Sequence, residues 1–537
     1  MKIRKVFFTT LIVFLLTSCS LFPSRSSSDP TTSSSTTTEP DTSSDSNTNI
    51  TSDPSSDDTT TGDDVRPTSG QEIVDFYAVN DLHGAIVETT QGGGEPGFAK
   101  MATYFKDKKN ENPEHSVILS IGDMWQGTYE VYHSKGEVVT EAMNNIGFDA
   151  MTIGNHEFDW GSSYILENAQ KANFPFLGAN IMEYPNTNIK SEIGEEYVIL
   201  QKGHLKIGVI GTIGQDQMTS ICSRLVEDIY FSDPTPIIKS LSQKLKNEHG
   251  VDIVVLATHT GQEDVDPSIP SGGYVDAIFN AHTHRHETQV INGVPFIQGG
   301  SRGRYLSHLQ FSFDYATNHL TTLEHEVHKV EELNLDDDID VKNIIDHYVG
   351  LSAIDGDEHV GYAVGNFEND WHLPCLVNYI AAEKTIEQGH TDLDFAMVNN
   401  ARTTISEGSL TYGDLYKGLP FDNLFYIVWA RGSDLIFEAQ YNKVYRVKDY
   451  DEIDETQYYK TVVPDHTLLH QDENKQYNYF SHYNPAEDFI DILTDDDGQY
   501  LYPRDLVKLL LANEPNNTIN YDDPRFVGDR HGSSLTT

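Results

Sequence analysis

"FDAMTIGNHEFDWG", residues 148–161, decides how the chain is read. An apolar run ending at Met151 passes through Gly154 into Asn155, His156, Glu157 and Asp159, and Gly161 closes the segment. Groups able to bind a metal or move a proton are packed here behind one predicted strand. A polar turn after a strand is common, so the cluster gains meaning only from others like it. Four more runs end the same way. "IVDFYAVNDLHG" leads into Asp81 and His83, "SVILSIGDMWQG" into Asp123, "VDIVVLATHTG" into His259, and "YVDAIFNAHTHRH" into His282 and His284. Short apolar runs alternating with helix-like segments predict a layered α/β architecture. In such folds ligands gather outside the carboxyl ends of the strands, so clusters far apart in the chain are expected to meet.

Their chemistry agrees. Oxygen and nitrogen donors from Asp, Asn and His, without thiolate, suit a hard or borderline divalent ion. Asp81-x-His83 and His282-x-His284 each place two side chains on one side of an extended segment, spaced to hold one ion. The donors exceed the needs of a single metal. If Asp123 bridges, two ions share them, and a two-metal phosphoryl-transfer site is the natural arrangement. Taken singly, His259 reads equally as a structural histidine and Asp123 as a turn residue. Five clusters in this order, each at a strand end, point to a site.

Asp81-x-His83, Gly122-Asp123, Gly154-Asn155-His156-Glu157, His259 and "AHTH" resemble the calcineurin-like metallophosphoesterase signature. "NHEFD", "GAN" at 178–180 and "QGGSRGRYL" at 298–306 narrow the resemblance to the bacterial 5′-nucleotidase/UDP-sugar hydrolase family, over about Ile73 to Val330 and more loosely beyond. The resemblance implies a four-layered α/β/β/α sandwich at 71–330, followed by a smaller mixed α/β substrate domain. It implies one ion held by Asp81, His83, Asp123 and His284, and a second by Asp123, Asn155, His259 and His282. The ions would be zinc, manganese, iron or cobalt. Asn155 would also touch a phosphoryl oxygen, and His156 would stay free of metal to meet the transferring group, oriented and kept cationic by Asp159. Glu157 and Phe158 are assigned to supporting structure. Ala281 departs from the family's usual glycine by one methyl group, and His286 is read as a surface residue.

An acidic, helix-compatible stretch at 331–353 is read as the connector, 354–515 as the substrate domain and 516–537 as a polar tail. "DFAMVNNARTTI" (394–405) resembles a shortened form of the family's Asn-Gly-Gly-Gly-Ile-Arg segment and offers Asn399, Asn400 and Arg402 to substrate. "TYGDLYKGLPFDNLF" (411–425) offers Phe425 as one of two aromatic residues that sandwich a base. In "YKTVVPDHTLLHQDEN" (459–474), His466 stands in place of the second aromatic and Asp472 as the ribose-binding acid. Between Arg304 and Arg402 there is no arginine. Arginine forks are the usual device for phosphate recognition, so the nucleotide contacts are expected to be thinner than the family's.

The N-terminus carries its own signal. Lys2, Arg4 and Lys5 precede an apolar run from Val6 to Leu16, and Leu16-Thr17-Ser18-Cys19 resembles a lipobox with Cys19 as the lipidated residue, so 1–19 is read as a lipoprotein signal peptide. Residues 20–70 are almost entirely Ser, Thr, Asp, Pro and Asn and are read as a disordered tether. These features predict an extracytoplasmic protein, lipid-anchored to a bacterial cell membrane. A formal net charge of −47 argues against binding nucleic-acid polymers or an anionic membrane surface. Cys222 and Cys375 are expected as free buried thiols. The reading is therefore an anchored two-metal phosphoesterase acting on nucleotides, or alternatively on a 2′,3′-cyclic nucleotide or sugar phosphate. A non-catalytic surface-binding lipoprotein on the same scaffold is the reading of another class.

Overall fold

Val74 to Val79 are buried without interruption, which is what a strand covered on both faces requires. The strand Gln71–Val79 runs parallel to Ser116–Ser120 and antiparallel to Tyr305–Asp314. It lies inside a six-stranded sheet that also contains Ala150–Thr152, Phe176–Leu177 and, at the far edge, His319–Lys329. A second six-stranded sheet is ordered His286–Ile291, Val294–Gly299, Ala277–Phe279, Ile253–His259, Leu205–Ile213, Tyr197–Lys202. The computed structural model describes residues 66–90, 94–450, 452–468, 480–528 and 530–532. Cys19, most of the tether and Asp472 lie outside the described residues.

The two sheets pack face to face through Val74, Phe76 and Leu119 on one side and Ile207, Val255 and Phe279 on the other. The Phe76 and Phe279 rings meet between them, 6.4 Å apart. Helices Phe98–Glu111 and Glu137–Ile146 cover the first sheet with Met101, Phe105, Val138 and Met143. Helix Pro234–Asn247 covers the second with Ile238, Leu241 and Leu245. The result is four layers, helix–sheet–sheet–helix. Ala281 lies in the core between the sheets, so the extra methyl group at this position is accommodated by apolar packing.

The order of the strands places the site. Gln71–Val79, Ser116–Ser120 and Ala150–Thr152 are mutually parallel, as are Leu205–Ile213, Ile253–His259 and Ala277–Phe279. Their carboxyl ends share one rim, where the sheets approach closely enough for the Thr152 hydroxyl to donate to the Ala257 carbonyl at 3.3 Å.

Helix Ile339–Gly356, capped by the Asp338 carboxylate accepting from Val341 N–H at 2.9 Å, leads into the second domain. That domain has a three-stranded sheet (Gly408–Thr411, His359–Val364, Thr518–Asn520) and a six-stranded sheet centred on Phe425–Arg431, Tyr458–Pro464 and Phe395–Val398; the stretch read as a polar tail from 516 thus adds a strand to the domain and buries Ile519 and Phe526 in its core. Helix His372–Glu387 packs against them through Leu376, Val377 and Ile380. Cys222 and Cys375 are both buried and unbridged. Among the described residues no helix is long and apolar enough to cross a membrane.

Candidate active site

The loops at the strand ends are knitted by their own backbone. Asp81 N–H donates to Gly122 C=O, His83 N–H to Asp123 C=O and Gly84 N–H to Met124 C=O, each at 3.0 Å. Five of the seven proposed metal ligands have left-handed backbone: Asp81 (φ 50°), His83 (48°), Asp123 (54°), His282 (70°) and His284 (59°). Residues other than glycine rarely adopt this conformation, and it persists where surrounding structure over-determines it. Here it turns successive side chains toward one point. Gly154 is required for the same convergence, because a Cβ there would run into the Asp123 carboxylate and approach His259 Cε1 to 2.9 Å.

Three overlapping groups of donors result: Asp81, His83 and His284; His83, Asp123 and His156; and Asp123, His259 and His282, with the ligand atoms of each within 4.8 Å of one another. His83 Nε2 lies 2.9 Å from His284 Nε2 and 4.0 Å from Asp123 Oδ2. On the other side His259 Nε2 lies 3.1 Å from the same Asp123 oxygen. Asn155 Oδ1 stands 3.2 Å from His259 Nε2 and 3.1 Å from His282 Nδ1. Asp123 Oδ2 thus lies between the His83 and His259 rings.

Divalent ions fit these residues on three counts. His83 Nδ1 faces the Gln126 carbonyl at 3.2 Å and His259 Nδ1 the Ile121 carbonyl at 2.7 Å. A ring N–H given to a carbonyl fixes the tautomer and leaves the Nε2 lone pair for a metal. Burial pulls His282 and His284 down to about 4 and His83 well below its ordinary value, so these rings are neutral near pH 7, as ligands must be. Burial also pushes Asp81 up to about 7. Burial opposes charge on His259, but Asp123 beside it raises it to about 10. Both shifts therefore call for positive charge at the centre of the site, which bound cations supply.

Two buried side chains hold this arrangement from behind. Asn80 donates to Asp81 Oδ2 at 2.6 Å and to Gly300 C=O at 2.7 Å, while accepting from Gly299 N–H at 2.8 Å. The Glu157 carboxylate accepts from Asp123 N–H and Met124 N–H, both at 2.8 Å, and from Gly154 N–H at 2.7 Å. Glu157→Gln turns one acceptor into a donor facing these N–H groups. We expect it to destabilise the protein by about 1–3 kcal/mol in chemical denaturation, and an unchanged midpoint would remove Glu157 from this supporting role.

His156 faces the cleft beside the donors. Its Nδ1–H donates to Asp159 Oδ2 at 2.7 Å, and its backbone N–H donates to Asp123 Oδ1 at 2.9 Å. Burial disfavours its charge, but Asp159 and Asp123 outweigh burial and raise its pKa.

A cleft of about 520 Å3 opens from here into the second domain, lined by Asn155, His156, Asp159 and His282 on one wall and Asn399, Asn400, Arg402, Phe421 and His466 on the other. Arg402 sits within the field of Asp123, Asp159 and Asp81. His466 is held neutral, pulled down to about 4 by burial. Phe425 is corrected by the structure. It is 1% exposed, opens the strand Phe425–Arg431 and packs in the second domain's core. Phe421, four residues earlier in the turn, lines the cleft, its ring stacked 6.1 Å from His156 at 24°. The Pro-Phe in "GLPFDNLF" was the available signal, since a residue in the turn before a strand is free to face a cleft. His286 is exposed and stacks on Tyr305, with centroids 4.3 Å apart.

Residues 74–286 match the calcineurin-like phosphoesterase family, and this part of the chain has the calcineurin-like metallophosphoesterase fold. With its second domain, the chain has the fold of 5′-nucleotidase structures. It superimposes on the 5′-nucleotidase precursor from Thermus thermophilus with a TM-score of 0.66 and 18% identity, covering 84% of this chain and 100% of that one. It is 28% identical over 423 residues to endonuclease YhcR of Bacillus subtilis (strain 168), covering 71% of this chain but 34% of that protein. It is 26% identical over 403 residues to the snake venom 5′-nucleotidase of Crotalus adamanteus, covering 66% of this chain and 68% of that protein. The chain thus spans about a third of the first relative's length and about two thirds of the second's.

Proposed function

We propose that the chain is a two-metal phosphoesterase that releases phosphate from nucleotides, held outside a bacterial cell membrane by lipid on Cys19 and spaced from it by residues 20–70. The observation that carries the catalytic part is the placement of Asp123 Oδ2 between the His83 and His259 rings, with His156 and Arg402 facing the same cleft. Asp81, His83, Asp123 and His284 would hold one ion and Asp123, Asn155, His259 and His282 the other; zinc, manganese, iron or cobalt suits such a set. When bound, the ions neutralise phosphoryl oxygens and make a water nucleophilic at neutral pH.

The chain's own groups do the rest. Asn155 turns its oxygen to the two histidines, while its buried Nδ2 has no partner among the described residues; this donor is placed to meet a phosphoryl oxygen. His156, kept cationic by Asp159, donates to the phosphoryl group and stabilises charge on the departing oxygen. Arg402 reaches the phosphoryl group from the second domain as a charge-assisted donor. Phe421 offers a flat apolar face to the leaving group. The names of the 5′-nucleotidase relatives support a nucleotide. A 2′,3′-cyclic nucleotide or a sugar phosphate is the second reading, favoured by the core position of Phe425, which leaves Phe421 as the aromatic face of the described lining.

The test is phosphate release by purified, metal-loaded protein from AMP, UDP-glucose, a 2′,3′-cyclic nucleotide, a sugar phosphate and an aryl phosphate. AMP is expected to be cleaved well, with Arg402→Ala raising KM by about tenfold or more at unchanged metal content. Cleavage of only the cyclic or sugar ester would move the substrate to the second reading. No hydrolysis of any ester by metal-loaded protein would favour a non-catalytic binding role. Protease accessibility on intact cells, lost with Cys19→Ala, tests the location.

A further inference from the structure

Arg224 and Arg504 lie outside both the candidate metal ligands and the cleft lining. Both reach the turn that carries Phe421. Arg224, from the phosphoesterase domain, extends Nη2–H to the Asp422 carbonyl and Nε–H to Asp465 Oδ2, each at 3.0 Å. Asp465 is fully buried, and its Oδ1 accepts from Leu424 N–H at 3.1 Å and His466 N–H at 2.8 Å. Burial raises the Asp465 carboxyl, and the Arg224 guanidinium opposes that shift. Arg504, from helix Pro503–Asn513, is 1% exposed. It donates to the Phe421 carbonyl at 3.3 Å, to the Asp422 carboxylate, and to the Tyr132 hydroxyl of the phosphoesterase domain at 3.1 Å.

The turn 421–424 is therefore held on both sides by cations, each of which ties it to the phosphoesterase domain. Two of the cleft's lining residues, Phe421 and His466, are bonded through their backbones to this network. We infer that Arg224 and Arg504 are positioning residues, which set the leaving-group wall of the cleft against His156 by fixing the Phe421 turn to the phosphoesterase domain. The inference rests on the proposed phosphoesterase function. A fork that satisfies a buried carboxylate and a carbonyl together has fixed geometry, and lysine cannot reproduce it. The candidate metal ligands, His156 and Asp159 all stand on the other domain, so the wall contributes to substrates whose leaving group is large enough to reach it.

The experiment compares AMP with a small alkyl phosphate, which lacks a base and a ribose, for wild type, Arg224→Gln, Arg224→Lys and Arg504→Lys, each checked for cooperative thermal unfolding and metal content. Arg224→Gln should raise KM for AMP by about tenfold and alter kcat by less than about threefold, while kcat/KM for the alkyl phosphate stays within about twofold. Arg224→Lys should recover only part of the loss, and Arg504→Lys should fall in the same direction. An equal loss on both substrates, or none on either, in folded, metal-loaded variants would overturn the positioning role and leave the phosphoesterase reading standing. Wild type that cleaves the alkyl phosphate but not AMP would overturn the nucleotide reading and this inference together.

Discussion

Replacing His156 with alanine is expected to lower kcat on AMP by about 100- to 10,000-fold while metal content stays at two equivalents. The reason lies in where the imidazole stands. Its Nδ1 is committed to Asp159 at 2.7 Å, so the ring is oriented from behind and presents its other edge to the cleft. A cation there is worth most when charge accumulates on the phosphoryl and leaving oxygens, and least in the ground state. The loss should fall on kcat with KM little changed. Asp159→Asn keeps a hydrogen-bond partner but removes the charge that holds the imidazole protonated, so its loss should be smaller, about 10- to 100-fold. A His156→Ala protein that retains kcat, or that loses metal along with activity, would return His156 to a structural or ligand role.

The second large effect is expected at Asp123. Its carboxylate lies 3.1 Å from His259 Nε2 and 4.0 Å from His83 Nε2, and it is held by Glu157 through its own backbone N–H. Burial works against its charge, yet His259, His156 and His83 keep it well below the usual carboxylate range. Asp123→Asn preserves shape and removes that charge. We expect bound metal to fall below two equivalents and activity to fall by more than about 1,000-fold. Wild-type protein stripped with a chelator should show the corresponding drop in Tm, restored by manganese or zinc, because an ion that binds only the folded state stabilises it. Asp123→Asn protein that retains two equivalents would exclude the bridging role.

The first domain's part of the site was legible because its candidate ligands belong to short segments with local rules. Each follows a strand, and parallel strands deliver their carboxyl ends to one rim. Asp81, His83, Asp123, Asn155, His259, His282 and His284 could be named from the chain, and the structure brings them together. What the chain did not display was the backbone that makes them converge. Propensity alone argues against left-handed φ angles at five of these residues; at Asp81, His83 and Asp123 they accompany loop-to-loop hydrogen bonds between the Asp81 and Asp123 segments.

The second domain was harder for a different reason. In "PFDNLF" either phenylalanine can face a cleft; which one does depends on where the turn ends and the strand begins. Phe425 is the strand's first residue, directed into the core opposite Pro464, and side-chain direction follows strand register. Arg224 and Arg504 carry no local mark either, since their partners lie 241 residues and 82 residues away. The candidate donors, their strand-end placement and the metal chemistry they would suit could be read from the chain, because those depend on residue type and short-range periodicity. Which aromatic ring meets His156, and which cations hold it there, was settled by strand register and by ion pairs between segments far apart in the chain, one within the second domain and one across to the first.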